Sequence, residues 1–100
     1  MTYQLIIRLE AELDIEDAFE WYSAKRENLG SEFVRAVDTA FSKIGQNPFA
    51  YPIVQRQARR IILQRFPYSL VYVINEDLNI ISIVSCLHGK QDPKSWIDRL

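Results

Sequence analysis

The pattern of apolar and polar positions changes period once along the chain. In Glu10 to Gly30, EAELDIEDAFEWYSAKRENLG, the residues Ile15, Ala18, Phe19 and Tyr22 recur at i, i+3, i+4 and i+7. That spacing is one face of a helix. Acids crowd its first turns and Lys25 and Arg26 sit near its end, as the helix dipole favours. Gly30 is the expected stop. In Ser31 to Pro48, Phe33, Val37, Ala40, Phe41 and Ile44 form a second stripe, with Ser31 as the expected cap. Two amphipathic helices joined by a few residues predict a helical hairpin.

The flanks read as strands. Tyr3 to Arg8, YQLIIR, precedes the helices. After them come Arg59 to Phe66, Ser69 to Ile74 and Ile80 to Leu87, with NEDLN as a turn between the last two. The short connections predict an antiparallel meander. Asp92-Pro93 opens a final short helical turn, PKSWIDRL. The order is β-α-α-β-β-β-α, an α+β fold of two layers in which a small, mainly antiparallel sheet packs against the two-helix hairpin. Residues 1–100 suit one domain.

Two strands break the simple pattern. Leu70, Tyr72 and Ile74 point one way and Val71 and Val73 the other; Ile81, Ile83 and Leu87 oppose Ile80, Val84 and Cys86. A sheet with one wet face alternates apolar and polar residues. These strands are apolar on both faces, and one hairpin covers only one. Either Tyr51-Pro52-Ile53-Val54 and the Trp96 segment fold over the second face, or a partner's apolar segment does.

Composition narrows the classes. Apolar residues make up 48% of the chain, enough for a core. The formal charge is -1, from 12 Lys+Arg and 13 Asp+Glu, which argues against direct binding of free nucleic acid, since phosphate contacts call for a basic excess. The charge is nevertheless segregated, with four arginines and no acid from Arg56 to Arg65. One cysteine forms no internal disulfide and suits a reducing, cytoplasmic compartment. No apolar run reaches the roughly 20 residues of a membrane span, and no signal peptide is expected.

Candidate chemistry centres on Ser85 to Trp96, SCLHGKQDPKSW, which holds the only cysteine, the only histidine and one of two tryptophans. One Cys and one His make no zinc pattern, and no cofactor motif is present. Cys86 and His88 share a strand face about 6.6 Å apart, but Cys86 lies in an apolar strand, where a small buried hydrophobe is the commoner role. RNA cleavage needs a base, an acid and cations for the phosphate. Arg59, Arg60, Arg65, His88, Lys90 and nearby tyrosines are the available groups. The other reading of the same residues is a solvated basic edge that pairs with a partner's acids.

Several ordered runs resemble the RelE/ParE superfamily of toxins from bacterial type II toxin-antitoxin systems. They are DIEDAFEWY (Asp14 to Tyr22), LGSEF (Leu29 to Phe33), NPFAYP (Asn47 to Pro52), RRIILQRFPYSLVYVI (Arg59 to Ile74) and LHGKQDPKSWIDR (Leu87 to Arg99). The resemblance implies a cytoplasmic toxin neutralised by a co-encoded antitoxin that fills an apolar groove, here expected at Val71, Val73, Ile80 and Val84 or on the hairpin. It also implies that the first strand lies beside the last. RelE-like members cleave messenger RNA on the ribosome; ParE-like members are associated with inhibition of DNA gyrase. Arg60 matches an arginine that opens the second strand in many members, and Arg65 and His88 fall near positions used by the nucleases. Gly89, however, follows His88 where some nucleases place an aromatic residue, and ribosome-directed members are strongly basic. FPY and LHGKQDPKSW are similar to the ParE-like, plasmid-stabilisation branch. The expected target-binding set is Arg59, Arg60, Arg65, Tyr68, His88, Lys90 and Trp96. The expected function is growth inhibition by binding gyrase. A ribosome-dependent endoribonuclease using Arg60, Arg65, His88 and Lys90 is the alternative, and a toxin-like chain without toxicity is the third.

Overall fold

The computed structural model describes residues 2–100. A short strand, β1 (Gln4–Ile7), leads into two helices, α1 (Leu9–Lys25) and α2 (Leu29–Gln46). Four strands follow, β2 (Ile53–Gln55), β3 (Ala58–Ile62), β4 (Tyr68–Asn75) and β5 (Ile80–His88), and then a single turn of helix, α3 (Lys94–Ile97). They form one sheet in the order β1-β5-β4-β3-β2. The three sequential pairings are antiparallel, while β1 lies parallel to β5, Gln4 to Ile7 facing Ile80 to Ile83. The first strand does lie beside the last, and the α+β architecture stands as expected.

One strand is additional. Ile53–Gln55 pairs with β3 as a three-residue edge, where the sequence showed only a covering segment. Pro52 at its start explains the miss, because proline within a short apolar run argues against a strand. Strand β3 is shorter than expected and ends at Ile62; the chain then turns through Arg65, whose φ of 72° lies in the left-handed region.

The main core lies between the helices and one sheet face. Tyr22, Phe33, Val37, Ala40 and Ile44 meet Leu70, Tyr72, Ile81, Ile83 and Cys86 there. Aromatic rings lock its centre, with Tyr22 stacked on Phe33 at 5.3 Å and Phe66 edge-on to both. Phe19 and Phe41, expected in this stripe, are only partly buried and line the groove on the outside of the hairpin.

The hairpin turn also differs from expectation. α1 ends at Lys25, and Asn28 with φ 69° reverses the chain and precedes α2 in place of a Ser31 cap. Gly30 is not a stop but the second residue of α2. A Cβ built on it would lie 2.9 Å from the Phe19 carbonyl oxygen and 2.0 Å from Ser23 Oγ, so the helices cross where only a hydrogen fits.

The NPFAYP run anchors the helices to the sheet. The buried Tyr72 hydroxyl donates to the Pro48 carbonyl at 2.6 Å. The Arg59 guanidinium donates to the Tyr51 carbonyl at 2.7 Å and to that of Phe49 at 3.2 Å.

Gly30→Ala is expected to force α1 and α2 apart, destabilising the fold by about 1–3 kcal/mol through overpacking. Alanine's better helix propensity returns at most about 1 kcal/mol. A urea melt more stable than wild type would contradict the close crossing.

Candidate functional site

The second sheet face is covered by the chain itself. Trp96 is 4% exposed and packs with Ala58, Val71 and Val84, all at 0%, with Val54, Val73, Leu87 and Ile97 at the margin. Of the two readings of the apolar strands, the covering segment is the one seen in this structure, but of the expected Tyr51–Val54 run only Val54 takes part: Tyr51 packs against the main core and Ile53 is 55% exposed. Val71 and Val84, expected at an antitoxin surface, therefore lie under Trp96, while Val73 and Ile80 are half-buried. Trp96, expected to touch a target, is the plug of this second cluster.

A β-bulge sets which residues reach which face. Val71 pairs with Ser85 but Tyr72 with Ile83, so Val84 is the extra residue on β5. Beyond it the alternation is reversed relative to expectation. Cys86 joins Ile81 and Ile83 in the main core, and Leu87 joins Val84 under Trp96.

The bulged end of β5 runs past β1, so on the side away from β4 it has no strand beside it among the described residues. Asp14 of α1 and Arg99 serve that edge. Asp14 Oδ2 accepts from the Cys86 backbone N–H at 3.1 Å and from Ser85 Oγ at 3.4 Å. Arg99 Nη1 donates to the same oxygen at 2.7 Å and to the Val84 carbonyl at 3.0 Å, and Arg99 Nη2 reaches Asp14 Oδ1 at 3.3 Å. Arg8 Nη1 donates to the Arg99 carbonyl at 2.7 Å. This group fastens the Trp96 segment to the first helix. The hydrogen bond to Asp14 raises the Arg99 pKa further, against the opposing effect of burial.

The basic residues from Arg56 to Arg65 do not form one site. Arg59 is spent on the Phe49 and Tyr51 carbonyls and lies over the Phe49 ring at 5.2 Å. Arg65 is on the α2 side, where Glu32 holds it at 3.4 Å and also pairs with Arg26 at 3.1 Å. Arg60 is exposed on the Trp96 side, where it and His88 line one cleft of about 390 Å³. Lys90 is exposed in the turn after β5, its N–H bound to His88 Nδ1 at 3.0 Å. That bond makes Nδ1 an acceptor and leaves the proton of neutral His88 on Nε2. Tyr68 packs edge-on to His88 at 5.0 Å on the helix side.

Burial pushes the Cys86 thiol up to about 12, with the Asp14 charge adding to the effect. Burial in the main core and the raised pKa both disfavour the thiolate that a Cys–His nucleophilic pair needs. Tyr72 is likewise pushed up to about 12 by burial, which Arg59 partly opposes. Among the described residues no cluster of three His, Cys, Asp or Glu side chains could hold a metal ion, and no helix is long and apolar enough to cross a membrane.

Two further surfaces are open; the hairpin was one of the two places expected for an antitoxin groove, without named residues, and the second surface escaped the sequence reading. The first is a groove of about 510 Å³ outside the helical hairpin, lined by Leu9, Leu13, Ile15, Phe19, Val34 and Phe41 among others. Leu9 and Leu13 are 65% and 50% exposed. They lie four apart on α1, off the stripe that packs on the sheet, and that second i, i+4 pair was the available signal. The second is a cleft of about 520 Å³ where α1 meets the end of β5; Asp14, Asp17, Trp21, Tyr68 and His88 are among its walls.

A family model described as "ParE toxin of type II toxin-antitoxin system, parDE" matches residues 5–93. No curated protein matches the chain. Among solved structures, the chromosomal ParDE toxin–antitoxin system of P. aeruginosa is 15% identical, with a TM-score of 0.65 over 89% of this chain and 98% of that one. The intact E. coli RelBE toxin–antitoxin complex is 16% identical, with a TM-score of 0.67 over 89% and 99%. The RelBE2 complex of Mycobacterium tuberculosis is 17% identical, with a TM-score of 0.61 over 88% and 99%. At these identities the structures share the fold.

Stability should respond to alkali. The folded chain favours the protonated Cys86 thiol, so that contribution is complete below the thiol's ordinary value of 9.0 and fades as pH rises toward 12. Tyr72 adds a second loss that begins near its ordinary value of 10.0. Denaturant midpoints should fall progressively above pH 9, and Cys86→Ala should delay the onset to near pH 10. Midpoints that stay level up to pH 11 would contradict both assignments.

Proposed function

The chain belongs to the ParE toxin family of type II toxin–antitoxin systems, and from that premise we propose that it arrests growth by binding DNA gyrase in the cytoplasm rather than by cutting RNA. A co-encoded antitoxin then neutralises it. The observation that carries the non-catalytic reading is the dispersal of the candidate acid–base set. Only Arg60 and His88 share a cleft, while Arg65 is tied to Glu32 on the far side of the sheet. General acid–base catalysis of phosphate transfer needs its groups within hydrogen-bond reach of one reacting centre. A binding surface has no such requirement, and exposed cations such as Arg60 and Lys90 contribute to it singly.

The antitoxin's ground on this reading is the groove outside the helical hairpin. Its exposed Leu9 and Leu13 form an apolar strip, and Glu12, Glu16 and Asp38 lie among its walls. That combination fits an amphipathic segment with apolar anchors and basic flanks. A segment that reached Val71 and Val84 would first have to lift Trp96.

Three measurements test these readings. The purified chain should inhibit gyrase supercoiling, and a messenger cleavage map during its expression should show no new cuts. Ribosome-dependent cuts that vanish in Arg60→Ala or His88→Ala would establish the endoribonuclease instead. Hydrogen exchange with and without the co-encoded antitoxin should show slowed exchange at Leu9–Phe19 and Val34–Phe41. New protection at Val71 and Val84, with faster exchange at Trp96, would place the antitoxin on the sheet.

A further inference from the structure

The cleft between α1 and the end of β5 is unlike the rest of the surface. Its wall is a run of aromatic rings. Trp21 is 54% exposed and meets Tyr22 edge-on at 5.0 Å; Tyr22 meets Tyr68 at 6.1 Å, and Tyr68 meets His88 at 5.0 Å. Asp14 and Asp17, one turn apart on α1, supply carboxylates to the same cleft, and no Lys or Arg is among its walls. Asp14 is engaged by Arg99, whereas Asp17 is exposed, with no side-chain hydrogen bond or ion pair found among the described residues. The Trp21 indole already attracts one cation, since the Lys25 ammonium lies 4.7 Å from its ring centre.

From this combination we infer that the cleft receives an arginine side chain from the surface of the toxin's protein target. A cation over electron-rich rings is favoured electrostatically, and more so as the site loses water. A guanidinium fits better than an ammonium, because its plane stacks on aromatic rings while its fork meets a carboxylate with two hydrogen bonds. Asp17 is the free carboxylate for that fork, and Trp21 and Tyr68 are the stacking walls. The same carboxylates repel phosphate, so the occupant is a protein side chain and not nucleic acid. The inference rests on the reading of the chain as a target-binding toxin and gives one contact of that encounter its chemistry.

The test uses three probes on the isolated chain, the peptides acetyl-Gly-Arg-Gly-amide, its lysine counterpart and its citrulline counterpart, which keeps the shape of arginine without the charge. Amide NMR spectra are recorded through each titration. The arginine peptide should give saturable shifts at Asp17, Trp21, Tyr68 and His88, and the citrulline peptide none. Asp17→Asn should weaken the arginine peptide by about tenfold, the loss of one charged hydrogen bond. Trp21→Leu should weaken it as well, while leaving the spectrum of the sheet unchanged. The inference is overturned by the absence of saturable shifts, by citrulline or lysine peptides binding as tightly, or by full binding to Asp17→Asn. Growth arrest is scored separately, so a chain that binds the peptide yet spares gyrase counts against the target and not against the cleft.

Discussion

Everything in this fold follows from a hairpin that is apolar on both faces. β4 and β5 put Leu70, Tyr72, Ile81 and Ile83 on one side and Val71 and Val84 on the other, and all six are fully buried. Such a sheet needs two covers. The helical hairpin is the first. The second is only the Trp96 turn with Val54 and Ile97 beside it, a four-residue helix too short to hold its place alone. It is kept there by Arg99, which binds the Asp14 carboxylate and the Val84 carbonyl, and by Arg8 on the Arg99 carbonyl. Asp14 binds Arg99 and also the Cys86 N–H, so a single side chain ties the first helix, the open edge of β5 and the second cover together. Both partners are about four-fifths buried, with 20% and 23% of their side chains exposed. At that depth a lost partner leaves the other's charge poorly solvated, and the penalty exceeds that of a surface pair.

This division of labour decides which apolar surfaces the chain itself leaves uncovered. The second sheet face, the natural guess for an apolar guest, is already occupied. The open surfaces include the groove outside the hairpin and the aromatic cleft at its foot, both built largely on α1. α1 therefore works on two sides. Ala11, Ala18 and Tyr22 bury against the sheet and neighbouring helix, while Leu9, Leu13 and Trp21 face outward. The outward strip lies off the buried face of the same helix and is left uncovered by the chain itself.

The periodic elements were legible from the sequence, because burial imposes periods of 3.6 and 2 that survive in any context. The excess of apolar residues in β4 and β5 also announced a second cover, and Trp96 was among its named candidates. What escaped was local geometry. The bulge at Val84 reverses the alternation after it, and nothing in IISIVSCL marks which residue is the extra one. Gly30 reads as a helix stop by type, yet its role is set by Phe19 and Ser23 across the turn. Arg59, Arg60 and Arg65 look like one cluster because they are near in sequence. Strand alternation and a left-handed turn at Arg65 send them to three different surroundings. The Asp14–Arg99 pair spans 85 positions and has no local signature at all.

The direct test of the central claim is residue-resolved hydrogen exchange on the Arg99→Ala chain against wild type. If Arg99 fastens the second cover to α1, the amides of Ser85 to Leu87 and Trp96 to Ile97 should exchange at least about tenfold faster, corresponding to roughly 1.4 kcal/mol of local protection. Ile81, Ile83 and the amides of α2 should change much less. Even acceleration across all elements, or none at Cys86 and Trp96, would contradict the account.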